Sequence, residues 1–293
     1  MNSSVISEEV EKNRIALMSV IAAVFLTVFK LIVGYVTNSL GILSEAAHSG
    51  LDLIAALVTL IAVRVSNKPA DEDHQYGHGK VENLSALIET ILLLLTCIWI
   101  IYEVYHRLVS RTVIVDVSFW SYLVVSVSIV VDISRSRALM RIAKKYNSQA
   151  LEADALHFST DIFSSAVVLF GLIAYKLGFL FADSIAALIV AAIVIGISIR
   201  LGKRAIDVLL DKAPEGVKEK VGSIALNTNG VRKVHDIRVR NSGAETLIEL
   251  NIHVDYNLDI NSAHVISEIV ENSIQSEIPK SRVIVHIEPE ETK

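Results

Sequence analysis

Six apolar stretches dominate this chain and leave few folds open to it. They run approximately over residues 15–35, 40–63, 84–104, 117–133, 157–176 and 181–199. Each approaches the roughly 20 residues that cross a hydrocarbon core. Inside a bilayer every backbone N–H and C=O needs an internal partner, so stretches of this kind form helices. The expected architecture is a polytopic α-helical membrane protein with six transmembrane helices over residues 15–206. Composition agrees: 52% of the 293 residues are hydrophobic and mean hydropathy is +0.51. Soluble domains run at about 45–50% apolar. The fourth stretch is the shortest and its far end is polar, so Asp132 there reads as the helix leaving the membrane.

Lysine and arginine in the short links set the orientation. One side collects Lys12 and Arg14, then Arg64, Lys68 and Lys80, then five basic residues between Arg135 and Lys145, then Arg200, Lys203 and Arg204. The other side collects Arg107, Arg111 and Lys176. Both termini are therefore expected in the cytoplasm. Residues 1–14 read as a polar, acidic cytosolic tail, without the basic-then-apolar layout of a cleaved signal peptide. The first membrane segment then serves as the insertion signal. Short links and tails suit a prokaryotic plasma (inner) membrane. A net charge of −5 argues against a nucleic-acid partner. The single cysteine, Cys97, has no internal disulfide partner and reads as packing in the third segment.

Composition changes at residues 211–214, where Pro214 fits the first turn of a new helix. Residues 234–240 and 246–255 read as strands joined by a turn at Asn241, Ser242 and Gly243. In the second strand Ile248, Leu250, Ile252 and Val254 alternate with Glu249, Asn251 and His253. A helix over 262–276, capped by Asn261, and a strand over 282–288 follow. The order α-β-β-α-β gives a small cytosolic α+β domain over residues 207–293.

Two apolar segments carry the same polar pair, His48-x-x-x-Asp52 and His157-x-x-x-Asp161. Positions i and i+4 share one helix face. If the two faces meet, they form a cage of two imidazoles and two carboxylates, a divalent-metal site of tetrahedral preference. Ionisable groups at membrane depth are costly and mark function. Ser49, Gly50, Ser159, Thr160 and Ser164 are small enough to let helices approach closely. Asp154, one turn before His157, either flanks the mouth of the cage or is a solvated helix-end carboxylate. Zn²⁺ suits the donor set, and Fe²⁺, Mn²⁺, Co²⁺ or Cd²⁺ are also accommodated. A histidine must be neutral to bind metal, so protons and metal compete for the same atoms. A cage facing each side in turn therefore exchanges metal for protons.

Other polar groups cluster outside the six stretches. Asp71, His74 and His78 lie in the link between the second and third segments and form a second candidate metal site. The Gly-His-Gly-Lys run there lacks the spacing of a phosphate loop. In the C-terminal domain His286 and Glu288 share one strand face, with His235, His253 and His264 available nearby. Glu82 and Glu89 share a face of the third segment, where Glu89 reads as a proton carrier or a helix-contact group. Lys30 reads as snorkelling to the interface.

At these residues the chain resembles the cation diffusion facilitator family, in its bacterial zinc/iron efflux branch. The motifs are His48-x-x-x-Asp52, residues 68–71 followed by His74 and His78 to Lys80, His157-x-x-x-Asp161, Leu210-Asp211, and residues 285–288. The resemblance implies a homodimeric divalent-cation/proton antiporter with a ferredoxin-like cytosolic domain that dimerises and binds metal. It implies transport at His48, Asp52, His157 and Asp161, and a link site at Asp71, His74 and His78. It makes Lys80 and Asp211 candidates for charge pairs that hold the dimer, and it matches His235, His264, His286 and Glu288 to the cytosolic metal cluster. There are two departures: several bacterial relatives have aspartate at His48, and Asn251 stands where relatives often place a liganding histidine. His253, two residues on, either substitutes or leaves that cluster incomplete. No His-Glu-x-x-His motif is present and four protein ligands leave no open metal position, so an intramembrane enzyme is not expected. A membrane-anchored metal sensor or scaffold without flux is the alternative to transport.

Overall fold

The computed structural model describes residues 3–110, 119–176 and 182–290. The links expected on the less basic side, 111–118 and 177–181, lie outside the described residues, and Arg111 with them. The side chains of Arg107, Ser164 and Lys176 also lie outside them. The chain divides into two compact units, Met1–Lys68 with Val81–Ala205, and Pro69–Lys80 with Ile206–Lys293.

The first unit is built from long helices: α1 (Ser3–Thr37), α2 (Leu40–Ser66), α3 (Val81–Ser110), α4 (Phe119–Tyr146), α5 (Gln149–Lys176) and α6 (Ala182–Leu209), the last of which runs on past Ala205 into the second unit. By length and composition, Ser7–Thr37, Glu45–Ser66 and Val81–His106 are each apolar enough to cross a membrane. Their outward faces carry exposed Ile21, Ile32, Leu51, Ile54, Leu95 and Ile98, as lipid contact requires. The helices overrun the apolar stretches where the basic residues lie. Thus α1 takes in most of the stretch read as a tail, and α4 runs on through Arg135 to Tyr146. Asp132 does not mark the end of a helix: it is buried within α4.

Left-handed asparagines punctuate the tight connections. Asn38 (φ 52°) ends α1, and Ser39 caps α2 by accepting from the Ile42 N–H. Asn147 (φ 53°) ends α4, and Ser148 opens α5 in the same way through Leu151. Small residues bring α4 and α5 together, where Ser136 Oγ donates to the Ala155 carbonyl at 2.8 Å. The core between α1, α2, α4 and α5 holds Ala16, Leu60, Val63, Leu139, Leu151 and Phe158.

One carboxylate ties four segments of this unit. Glu82 of α3 accepts from Lys12 of α1, from Ser66 of α2 and from Ser148 at the start of α5. All of these but Ser66 are buried.

The second unit contains α7 (Val217–Leu226), β1 (Lys233–Ser242), β2 (Glu245–Asp255), α8 (Ile260–Glu277) and β3 (Ser281–Glu290). The strands form one sheet in the order β1-β2-β3, antiparallel between β1 and β2 and parallel between β2 and β3. Ile248, Leu250, Ile252 and Val254 are all buried, meeting Val221, Val270 and Ile274 of the two helices. The expected α-β-β-α-β order holds, with two local differences. Pro214 precedes α7 rather than starting it, and its carbonyl accepts from Val217. The cap of α8 is Asp259, whose carboxylate accepts from the Asn261 and Ser262 N–H groups and draws the helix start forward.

Pro69–Lys80 packs inside this unit. Gly79 runs against the β1–β2 turn so closely that an added Cβ would stand 2.6 Å from the Ser242 carbonyl oxygen. Gly243 answers it from the turn at φ 61°, a conformation costly for residues with a Cβ.

Candidate metal centre

The helical spacing sets His48 beside Asp52 on α2 and His157 beside Asp161 on α5, and the two faces meet. His157 Nε2 lies 3.2 Å from Asp52 Oδ1. His48 Nε2 lies 3.7 Å from Asp161 Oδ1. Within each helix the imidazole-to-carboxylate distances are both 3.9 Å. Donors on a tetrahedral zinc ion, with bonds of about 2.0–2.1 Å, stand about 3.3 Å apart. These four imidazole-to-carboxylate distances fall at that separation or a little beyond, and donor atoms of His48, Asp52 and Asp161 all lie within 4.8 Å of one another, with His157 joined to the group through Asp52. Asp161 Oδ2 is buried without a hydrogen-bond partner among the described residues, so the site holds acceptor capacity that the protein itself leaves unused.

A polar chain runs near His157 on α5. Arg135 Nε donates to Ser19 Oγ at 2.7 Å, and Ser19 Oγ donates to Asp154 Oδ2 at 3.0 Å. The Arg135 guanidinium lies 3.4 Å from the Phe158 ring centre. The His157 and Phe158 rings meet edge-on, their centres 5.5 Å apart. Asp154 is fully buried here, which removes the reading of a solvated helix end. Glu89 is equally buried and accepts from Thr59 Oγ1 at 3.0 Å.

Lys30 overturns its sequence reading. It does not snorkel: it is buried, and its ammonium donates to Ser49 Oγ at 2.8 Å and to Glu45 Oε2 at 3.2 Å, next to His48. Snorkelling needs water within reach of the side chain, and here α2 supplies oxygens instead. Trp99 of α3, also unread in the sequence, has its ring 6.4 Å from that of His48. A lone lysine inside an apolar run was the available signal for Lys30. Trp99 had none, since its neighbour comes from another helix.

The link residues Asp71, His74 and His78 come together within the second unit. His74 Nδ1 lies 3.2 Å from Asp71 Oδ1, and His78 Nε2 lies 3.3 Å from Asp71 Oδ2. The hydrogen bond from the His74 backbone N–H, at 2.6 Å, holds the Asp71 carboxyl below its usual range. His78 Nδ1 is buried with no partner among the described residues.

On the sheet, His235, His253 and Glu288 converge. The two Nε2 atoms are 3.0 Å apart, and each lies 3.2 Å from Glu288 Oε2. The register sets this triangle, because His253 pairs with Glu288 across β2 and β3. Three donor atoms at these separations match one zinc-sized cation. Asn251 Nδ2 donates to Glu288 Oε1 at 2.9 Å, so Asn251 orients the carboxylate, and His253 rather than Asn251 brings a ring nitrogen to the group. Burial pushes Glu288 up, and the hydrogen bonds with His235 and Asn251 outweigh it, leaving the carboxyl below its ordinary value. His286 stands at the margin, 3.8 Å from Glu288 Oε1 and largely exposed. His264 is apart from the group, on α8, with Glu268 at 3.5 Å.

Lys80 Nζ lies 2.7 Å from Asp211 Oδ1 within one chain, and Arg240 Nη1 lies 3.3 Å from Asp211 Oδ2. The hydrogen bond from Lys80 holds the Asp211 carboxyl below its usual range. The Arg240 guanidinium also lies 4.5 Å from the Tyr76 ring centre.

Comparison with known proteins places this geometry in a family. The model of the cation efflux transmembrane domain matches residues 16–210, and that of the cation efflux protein cytoplasmic domain matches residues 213–290. An uncharacterised transporter of Methanocaldococcus jannaschii is 34% identical over 96% of this chain and 98% of its own length. The cation-efflux pump FieF of Cronobacter sakazakii is 32% identical over 94% of this chain and 92% of its own length. The magnetosome protein MamB of Magnetospirillum gryphiswaldense is 33% identical over 90% of this chain and 89% of its own length. The helical first unit is a transmembrane domain and the second a cytoplasmic one. With both domains matched and relatives aligned along nearly the whole length, the chain belongs to the cation diffusion facilitator family of cation efflux transporters, which carry their substrates rather than transform them.

Proposed function

We propose that this chain exports Zn²⁺ from the cytosol in exchange for protons, as a homodimer in a prokaryotic plasma membrane with both termini cytoplasmic. The observation that carries the reading is the convergence of His48, Asp52, His157 and Asp161 from two helices of the membrane domain. Two nitrogens and two carboxylate oxygens suit a tetrahedral divalent cation, with Zn²⁺ foremost and Fe²⁺, Mn²⁺, Co²⁺ and Cd²⁺ admitted by the same donors. Neutral imidazoles bind metal and protonated ones do not, so loading the cage releases protons and proton arrival expels the cation. Exposure of the cage to each side in turn couples the two flows. Asp71, His74 and His78, and separately His235, His253 and Glu288, are the groups that would hold resident metal in the cytoplasmic unit.

The test is Zn²⁺ flux in liposomes under an imposed pH gradient, beside Fe²⁺, Mn²⁺ and Cd²⁺. Zn²⁺ movement against protons that Asp161→Ala abolishes is the expected result. Flux of another cation but not Zn²⁺ overturns the metal, and no flux of any cation from folded dimers turns the reading to a metal sensor.

A further inference from the structure

The Lys30 ammonium lies beside the cage yet cannot be one of its ligands, because it has three donors and no lone pair. Lys30 is only 4% exposed. Its partners, Ser49 and Glu45, flank His48 on α2. Thr27, three residues earlier on α1, donates to the Ser49 carbonyl at 3.0 Å, so α1 grips α2 twice at this turn. Glu45 is half exposed and compensates the ammonium only in part. The Lys30 charge also acts, over longer range, on Asp161 of the cage and on Asp132 of α4.

Charge balance gives this placement a role. A divalent cation neutralises Asp52 and Asp161. When it departs, and until protons reach the imidazoles, two carboxylates remain in a water-poor interior, where uncompensated charge is costly. We propose that Lys30 is the charge-compensating residue of the transport cage: its ammonium opposes the bound divalent cation and takes up the carboxylates' field once that cation leaves. The inference rests on the transport reading above. It makes Lys30 a positioning residue whose charge sets how readily the cage empties. A cage without that charge would hold its cargo too well.

The experiment uses the full-length protein with Lys30→Met, Lys30→Gln and Lys30→Arg, in a background of His74→Ala and His253→Ala that removes the other candidate metal positions. Zn²⁺ binding is measured by equilibrium dialysis in detergent, and Zn²⁺ flux in liposomes gives KM and kcat. The expected result is Zn²⁺ bound about tenfold or more tightly in Lys30→Met, with kcat lowered by a similar factor. Lys30→Arg restores both. Lys30→Gln keeps a polar contact to Ser49 without the charge and behaves like Lys30→Met. Unchanged or weaker Zn²⁺ binding in a folded Lys30→Gln protein overturns the proposal, as does failure of Lys30→Arg to restore turnover. Absence of Zn²⁺ flux in the unsubstituted protein sinks the transport reading alone, and Lys30 is then judged on the binding constant.

Discussion

His157 Nε2 approaches Asp52 Oδ1 to 3.2 Å, closing α5 onto α2 between residues 105 positions apart. Each residue of the pair is half of a helical couple, so one contact aligns four donors. Asp52→Asn keeps the shape of the side chain and removes its charge. It is expected to lower Zn²⁺ flux by about a hundredfold or more, since a buried charge-assisted contact and a metal ligand are lost together. Circular dichroism and gel filtration should show the fold and dimer retained; flux near the unsubstituted level would remove Asp52 from the cage.

The triangle on the cytoplasmic sheet separates ligation from orientation. His253→Ala deletes a donor atom, whereas Asn251→Ala frees one Glu288 oxygen without deleting any. Calorimetric Zn²⁺ titration should show a tenfold or larger loss at this position for the first and a smaller loss for the second, in line with the 10–100-fold effect typical of outer-shell partners. His264→Ala should leave the titration unchanged, and a loss there would reassign the cluster.

Glu82 presents the clearest stability test. Glu82→Gln leaves the Lys12 ammonium buried without its counter-charge, a change that costs about 3–5 kcal/mol in buried pairs. The detergent-solubilised protein should melt well below its normal temperature. Adding Lys12→Met to Glu82→Gln should recover part of the loss, and no recovery would show that Lys12 and Glu82 contribute separately.

Asp211 gives a prediction in pH. Lys80 lowers its pKa in the folded chain below the ordinary 3.8. A lowered carboxylate pKa adds stability above the unfolded value, and that contribution is lost as pH falls through the folded one. The melting difference between the protein and Asp211→Asn should therefore be constant from pH 5 to 7 and shrink only below about pH 4. A difference that changes around pH 6 would point to a histidine instead.

Much of this was legible along the chain because helical and strand periods are local. The His-x-x-x-Asp pairs announce a shared face, and the alternation from Ile248 to Val254 announces a core-facing strand. What escaped depends on partners distant in sequence. Lys30 looks the same whether it reaches water or Ser49, and only the fold places α2 beside it. The polar end of the fourth stretch resembled a helix leaving the membrane, yet the aspartate there is buried and the helix runs on to Tyr146. His264 sits among suitable residues in sequence, while the geometry of α8 turns it towards Glu268.

The placement of Pro69–Lys80 in the second unit makes the two units inseparable by a single cut. The chain passes from one unit to the other after Lys68, after Lys80 and after Ala205. Removing everything beyond Ala205 would strip Gly79 of the turn it packs against and Lys80 of Asp211, leaving the twelve residues of Pro69–Lys80 without the unit they pack in. Grafting the second unit onto another membrane protein would require importing those residues as well. For protein engineering, exchange of parts has to respect all three crossings.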